Sequence, residues 1–232
     1  MHKGFADRDQ SALAVRADIN ARFGKSLEEF ADEQLGLTGN ELVLEIGCGQ
    51  GKQTRYFREK YPDLRIIATD ATEPPKDLPA LGVQIDMDKL TFGPMFDVVI
   101  AVYSIYYSRK MTLLVSQIAD WLKPGGRFLM IGPGAGTNQE LTDIVNTTPD
   151  CHMKAATDFL TPEAVQRIAT RTYSNVTTSR FTNKVEFEDR SSFFRWWSNH
   201  NSYDPDLCAK VDCRIPDKMT LSKVVLSYLF TR

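Results

Sequence analysis

Residues 42–54, LVLEIGCGQGKQT, constrain this chain more than any other stretch. An apolar run closing on a carboxylate passes straight into three glycines at alternate positions, Gly47, Gly49 and Gly51, and then into a polar segment of helical length. A turn between a strand and a helix leaves free main-chain N–H groups and the positive end of a helix dipole, and glycine lets a ligand approach the backbone. Glycine also loses more conformational freedom on folding than any other residue. Three in five positions therefore predict a turn that serves a ligand, not one that only reverses the chain.

The surroundings extend the pattern. From Glu41 onward the short apolar runs LVLEI, RIIAT, GVQI, FDVVIAVY and GRFLMIG are separated by helix-sized segments, with helices expected near 51–60 and 109–122. Such alternation predicts a parallel sheet covered on both faces. Ahead of it, 10–22 and 26–35 carry apolar residues at helical spacing, among them Leu13 and Ile19, then Leu27, Phe30 and Leu35. Beyond Gly136, Thr137-x-x-Glu140 reads as a capping box opening a helix, and Thr161-Pro162-Glu163 as a capped start with proline at the first helical position. Strand-like segments at 177–188 and 223–230 flank an aromatic helical insert over 191–203.

A length of 232 residues, 42% of them hydrophobic, suits one large domain, and no repeat or linker divides it. The expected organisation is a single domain over 1–232: a helical cap at 1–38, a ligand-binding half at 39–136, and a second half at 137–232 carrying the insert. Lysine and arginine total 28 against 30 acidic residues, a net charge of -2 without any block of like charge, which argues against a nucleic-acid partner. The start is polar, and no apolar stretch reaches the roughly 18 residues of a membrane span, so a cytoplasmic protein is expected. Cys48, Cys151, Cys208 and Cys213 are scattered with no C-x-x-C pair, which predicts reduced thiols and no metal centre.

The chemistry of the turn narrows its occupant. A dinucleotide fingerprint wants its third glycine three positions after the second, where this chain has Lys52. Glu45, two residues before Gly47, places a carboxylate at the loop. A carboxylate repels phosphate and attracts an ammonium. S-adenosyl-L-methionine has no phosphate and carries both an ammonium and a cationic sulfonium, so it suits an acid plus three glycines better than NAD does.

On "LEIGCGQG", "IIATDAT", "GVQIDMD", "FDVVIAVYSIYYS" and "LKPGGRFLMIGPG", the stretch from about 40 to 133 resembles the class I S-adenosylmethionine-dependent methyltransferases. The resemblance implies a Rossmann-like α/β fold: a seven-stranded, mostly parallel sheet with helices on both faces, an antiparallel last strand and an N-terminal helical cap. It implies S-adenosyl-L-methionine as cofactor and S-adenosyl-L-homocysteine as product. Glu45, Gly47, Cys48, Gly49 and Gly51 would form the cofactor loop, with Asp70 on the ribose hydroxyls and Ala71 beside it. Asp86 would meet the adenine amino group, Met87 the ring, and Asp88 competes with Asp86 for that role. Ala101, Val102 and Tyr103 would end the fourth strand next to cofactor and substrate, while Asp97 is structural. The second Gly-x-Gly-x-Gly, Gly132 to Gly136, follows strand five, carries proline and is a decoy for phosphate binding. "SIYYS", "GPGAGTNQEL" and "FFRWWSNHNSYDP" look most like small-molecule methyltransferases of secondary metabolism.

Methyl transfer needs alignment and dryness above all. Tyr103, Tyr106 and Tyr107 follow strand four at the sheet edge where ligands bind in such folds, and Tyr106 is the candidate for packing on the cofactor or orienting the acceptor. Phe193, Trp196, Trp197 and His200 share one helical face, which either packs on the sheet or lines an acceptor pocket with His200 as general base. Arg16, Arg22 and Phe23 of the cap are further pocket candidates. The expected function is methylation of N or O on a small organic acceptor, as a monomer or homodimer. A non-catalytic cofactor-binding scaffold, a protein methyltransferase and a nicotinamide oxidoreductase are the alternatives.

Overall fold

The structure, a computed structural model, describes residues 24–200 and 202–232. The helix expected over 10–22, with Arg16, Arg22 and Phe23, lies outside the described residues. The element order is α1 (Leu27–Leu35), β1 (Leu42–Ile46), α2 (Lys52–Lys60), β2 (Arg65–Asp70), β3 (Leu81–Gln84), β4 (Phe96–Val102), α3 (Met111–Trp121), β5 (Leu122–Pro133), α4 (Gln139–Asn146), α5 (Pro162–Thr172), β6 (Asn175–Phe187), α6 (Arg190–Ser198), α7 (Pro205–Val211) and β7 (Met219–Thr231). Seven strands form one sheet in the order β3-β2-β1-β4-β5-β7-β6. The first five pair in parallel, and β7 runs antiparallel to both β5 and β6.

Strand periodicity sorts the core into two layers. Successive side chains face opposite sides of a strand. Leu44, Ile46, Val99, Ala101, Phe128 and Met130 therefore face α3 and α5, which return Leu114, Val115, Ile118, Val165 and Ile168. Val43, Ile66, Ala68, Val98, Ile100 and Leu129 face the other way, toward Phe30 and Leu35 of α1 and Phe57 of α2. Glu45 shares this second parity, and that is why the acid of β1 ends up under α2 instead of in the other layer. Asp97 acts as a strut: its carboxylate accepts from the Leu42 N–H at 2.8 Å and from Lys123 Nζ at 2.7 Å.

Some local signals read as expected. Ser26 caps α1 by accepting from the Glu29 N–H, and Thr161 caps α5 by accepting from the Ala164 N–H. The capping box at Thr137 does not form. α4 starts two residues later, behind Asn138 in the left-handed region at φ 57°, and no side chain caps it. Glu140 turns to β7 instead, where it accepts from Ser222 N and Oγ and pairs with Lys184. Burial opposes its ionisation, but these hydrogen bonds outweigh it and hold its carboxyl down at about 2. Residues 71–80 are long enough for a helix, yet Pro74, Pro75 and Pro79 remove donors and none forms.

Three strands run beyond their expected bounds. β5 begins at Leu122, and a register shift between Phe96 and Val98 of β4 absorbs the Pro124-Gly125 bow. β6 and β7 continue past the carboxyl end of β5, since Pro133 already pairs with Val225 while β7 starts at Met219. α4, α6 and α7 cover this projecting part and bury Phe193, Trp196 and Trp197 completely in a third cluster with Phe187, Val211 and Leu221. The aromatic stripe is thus core, and only its edge faces the rest of the carboxyl side.

Candidate functional site

All three glycines of the turn sit at positive φ, 75°, 52° and 73° for Gly47, Gly49 and Gly51. Their surroundings differ. A side chain at Gly47 would collide with Ser104, whose hydroxyl donates to the Ile46 carbonyl, and one at Gly51 would collide with Leu78. Around Gly49 no atom lies within 4 Å of where a Cβ would be. Two glycines therefore make room for the protein itself, and Gly49 is the open floor of the turn.

The main-chain N–H groups are less available than the sequence implies. Gly47 and Cys48 both donate to the Thr69 carbonyl, Gly51 donates to Cys48, and Gly49 donates to Asp70 Oδ2 at 2.9 Å. What remains is the start of α2. Its N-cap, Gly51, offers no side chain, and the N–H groups of Lys52, Gln53 and Thr54 have no acceptor within the helix. Polar N–H capacity has moved from the turn to the first helical turn behind it.

Two carboxylates lie beneath this turn. Glu45 is 4% exposed and accepts from the Thr54 hydroxyl. Burial, aided by the charges of Asp70 and Glu28, pushes its carboxyl up to about 7 against the opposing Thr54 bond. Glu28, on the first turn of α1, is a participant that no motif in the sequence marks. Asp70, at the end of β2, accepts from Gly49 on one oxygen and from the Thr72 N–H and hydroxyl on the other. It fastens the turn to the strand, and Oδ2 keeps spare acceptor capacity. Cys48 is buried, and burial followed by the Glu45 and Asp70 charges pushes its thiol up to about 12, so it is an inert filler.

Farther along the carboxyl edge, Asp86 and Asp88 take different parts. Asp88 accepts from the Ser108 hydroxyl and from Arg109 N and Nε, tying the segment after β3 to that after β4. Asp86 keeps 37% side-chain exposure and meets Arg109 Nη2 at 3.0 Å. Met87 is half-buried and packs on the core. Ala71 is exposed, Ala101 is fully buried in the core, and Val102 stands half-buried at the strand end.

Aromatic residues wall the end of β4 and β5. Tyr103 holds a positive φ of 52°, a costly backbone for a bulky residue, while its N–H donates to the Ile131 carbonyl. Burial pushes its phenol well above the ordinary value. Ring centroids of Tyr103 and Tyr106 are 6.4 Å apart, and Tyr106 lies 4.6 Å from Tyr107 and 6.1 Å from Phe159. Phe159 covers the face of Gly132 where a side chain would stand, so this glycine of the second triplet serves packing.

Across the end of β5 lies a polar group anchored on α4 and β7. Lys223 Nζ donates to Asn138 Oδ1 and sits 4.0 Å from the Trp196 ring centroid. His200 lies 4.9 Å from the same indole with the rings tilted by 35°; its Nδ1 faces the Ser202 N–H at 3.2 Å and its Nε2 lies 3.5 Å from Asn138 Nδ2.

Elsewhere, an apolar cavity of about 310 Å³ opens on the β2–β3 face, lined in part by Ile67, Leu81, Val83, Ile85 and Phe92. With Lys89 as its one charged lining residue, it does not match a zwitterionic ligand. Among the described residues no group of His, Cys, Asp and Glu is arranged to hold a metal, and no helix is long and apolar enough to cross a membrane.

This arrangement has relatives. Residues 44–130 match the family described as a methyltransferase domain. The malonyl-[acyl-carrier protein] O-methyltransferase of Halalkalibacterium halodurans is 30% identical over 54% of this chain and 52% of its own length, so the match spans about half of that relative. The protein of the same name from Chlorobium luteolum is 26% identical over 87% of this chain and 90% of its own. Among solved structures, the plantazolicin methyltransferase BpumL in complex with SAH superposes with a TM-score of 0.53 at 13% identity, covering 98% of this chain and 92% of that one. The matched segment holds the glycine turn, Glu45, Asp70 and Asp86, and over it the chain is similar to methyltransferase domains.

Proposed function

We propose that this chain transfers the methyl group of S-adenosylmethionine to a carboxylate oxygen of a small organic acid, either free or, for a diacid, left open in its monothioester. The observation that carries the cofactor half is the Glu45 carboxyl, buried beneath the open floor at Gly49 with Asp70 beside it. An acid kept from ionising by burial gains most when a cation arrives, and the cofactor brings one. Gln53 adds a second sign of fit, since both polar atoms of its buried amide lack a partner. When bound, S-adenosylmethionine supplies a methyl group on a positively charged sulfur.

The chain's own residues would do the rest. Glu45, Gly49 and the start of α2 hold the amino-acid end, with Gly47, Gly51 and Cys48 shaping the turn. Asp70 and Ala71 take the ribose, and Asp86 and Met87 border the adenine. Val102 and Tyr103, with the main chain of Ala101, close the floor between cofactor and acceptor. Tyr106 and Phe159 exclude water from the reacting side, which strengthens attraction between cation and nucleophile.

Two features favour a carboxylate acceptor over an alcohol. Burial keeps the Tyr103 phenol protonated, so a nucleophile that needs no deprotonation suits the site. Lys223 adds positive charge across the end of β5. The O-methyltransferase names of the two relatives agree with this direction. The test is transfer of a labelled methyl group to a panel of mono- and dicarboxylates, their thioesters, phenols and amines. Label that base releases as methanol, from carboxylates alone, is the expected result. Label only in amines or phenols would overturn the acceptor reading, and binding without transfer to any acceptor would favour a scaffold.

A further inference from the structure

Gln53 is 5% exposed, and neither Nε2 nor Oε1 of its side chain has a hydrogen-bond partner. Buried amides are almost always matched, because an unmatched one forfeits its hydration for nothing. Packing does not ask for glutamine here. Methionine has the same length and would fill the same space without the penalty, so the amide points to a partner that arrives from outside.

Its position says what that partner carries. Gln53 is the second residue of α2, whose N-terminus has no side-chain cap. Helical Cα–Cβ bonds lean toward the N-terminus, which brings the carboxamide back over the uncapped turn. Unpaired N–H groups and the positive dipole end there favour an anion. The next residue, Thr54, holds the Glu45 carboxyl, which favours a cation, and Glu28 adds negative charge on the same side. One helical turn thus offers an anion site and a cation site next to each other, with an amide that donates and accepts between them. An α-amino acid zwitterion has the complementary pattern.

We propose that Gln53 recognises the α-amino-acid end of the cofactor, its Nε2 donating to the carboxylate and its Oε1 accepting from the ammonium. The inference rests on the methyltransferase reading and adds a specificity residue to it. Together with Glu45 it would distinguish a nucleoside thioether that carries the amino-acid end from one that lacks it.

The experiment compares two ligands on wild type, Gln53→Met and Gln53→Glu. S-adenosylhomocysteine has the amino-acid end, and 5′-methylthioadenosine keeps the nucleoside and sulfur without it. Calorimetry on the purified protein is expected to show S-adenosylhomocysteine weakened about tenfold or more in both variants, with 5′-methylthioadenosine unchanged. The ligand-free melting temperature of Gln53→Met is expected to equal or exceed that of wild type, because an unmatched amide has been removed. Equal weakening of both ligands, unchanged S-adenosylhomocysteine affinity, or a lower melting temperature of Gln53→Met with parallel loss of both ligands would each overturn the proposal. Wild type that binds neither nucleoside would sink the methyltransferase reading with it, whereas normal wild-type binding with indifferent variants sinks this inference alone.

Discussion

Cofactor affinity should depend on pH in a way that Glu45 sets. In the free protein its carboxyl is pushed up to about 7, first by burial and then by Asp70 and Glu28, against the Thr54 bond. An ammonium partner favours the ionised form and returns the carboxyl toward its ordinary range, so binding must first remove a proton. With that midpoint near 7, about one free site in eleven is ionised at pH 6 and about ten in eleven at pH 8. The dissociation constant of S-adenosylhomocysteine is therefore expected to tighten about tenfold between them, or about 1.4 kcal/mol. Calorimetry in buffers of different ionisation enthalpy reads both the affinity and the released proton, close to one per site at pH 6 and close to none at pH 8. The free protein has the matching slope. A raised folded value means that the neutral acid favours folding: this stability is complete below about 4.5 and is lost as pH rises through about 7. The loss amounts to about 3 kcal/mol. Glu45→Gln is expected to abolish both slopes. An affinity that stays flat from pH 6 to 8, or a slope that survives in Glu45→Gln, would refute the reasoning.

Further predictions concern the turn. Gly47→Ala meets both a positive φ and Ser104, so it is expected to cost about 3 kcal/mol or more, seen as a melting point lower by roughly 10 °C. Gly47→Ala with Ser104→Gly regains part of that loss, as the double-mutant melt will show. Gly49→Ala carries only backbone strain, about 1 kcal/mol, but fills the open floor, so calorimetry is expected to show nucleoside affinity falling more than stability. Asp70→Ala removes the acceptor of Gly49 and Thr72 and is expected to lower both the melting temperature and the cofactor affinity, whereas a role confined to ribose binding would leave the free protein untouched.

Most of the scaffold is visible in the sequence because its determinants are local. Apolar runs with short polar breaks announce β1, β2, β4 and β5, and Ser26 and Thr161 announce their helices through cap chemistry. Where the reading failed, the competing interaction came from far along the chain. Glu140 left the capping box for Ser222, 82 residues away, and Gly47 owes its bareness to Ser104. Free N–H groups in the glycine turn are a local inference that Thr69 and Asp70 cancel by folding over it. Glu28 and Gln53 carry no motif, since their meaning depends on burial and on neighbours that only the assembled layers supply. The spacing of Gln53 four residues before the buried Phe57 is the hint that the sequence holds. Aromatic periodicity in α6 correctly marks a buried face but says nothing of His200, whose ring nitrogens face Ser202 and Asn138.

The central claim is that Glu45, Gly49 and the start of α2 hold the amino-acid end of a sulfur nucleoside. A crystal structure with S-adenosylhomocysteine tests it most directly. The account predicts the ligand at the carboxyl edge of β1 and β2, its amino-acid end against Gly49 and α2 and its ribose at Asp70. Density in the β2–β3 cavity instead, or none at saturating ligand, would contradict it.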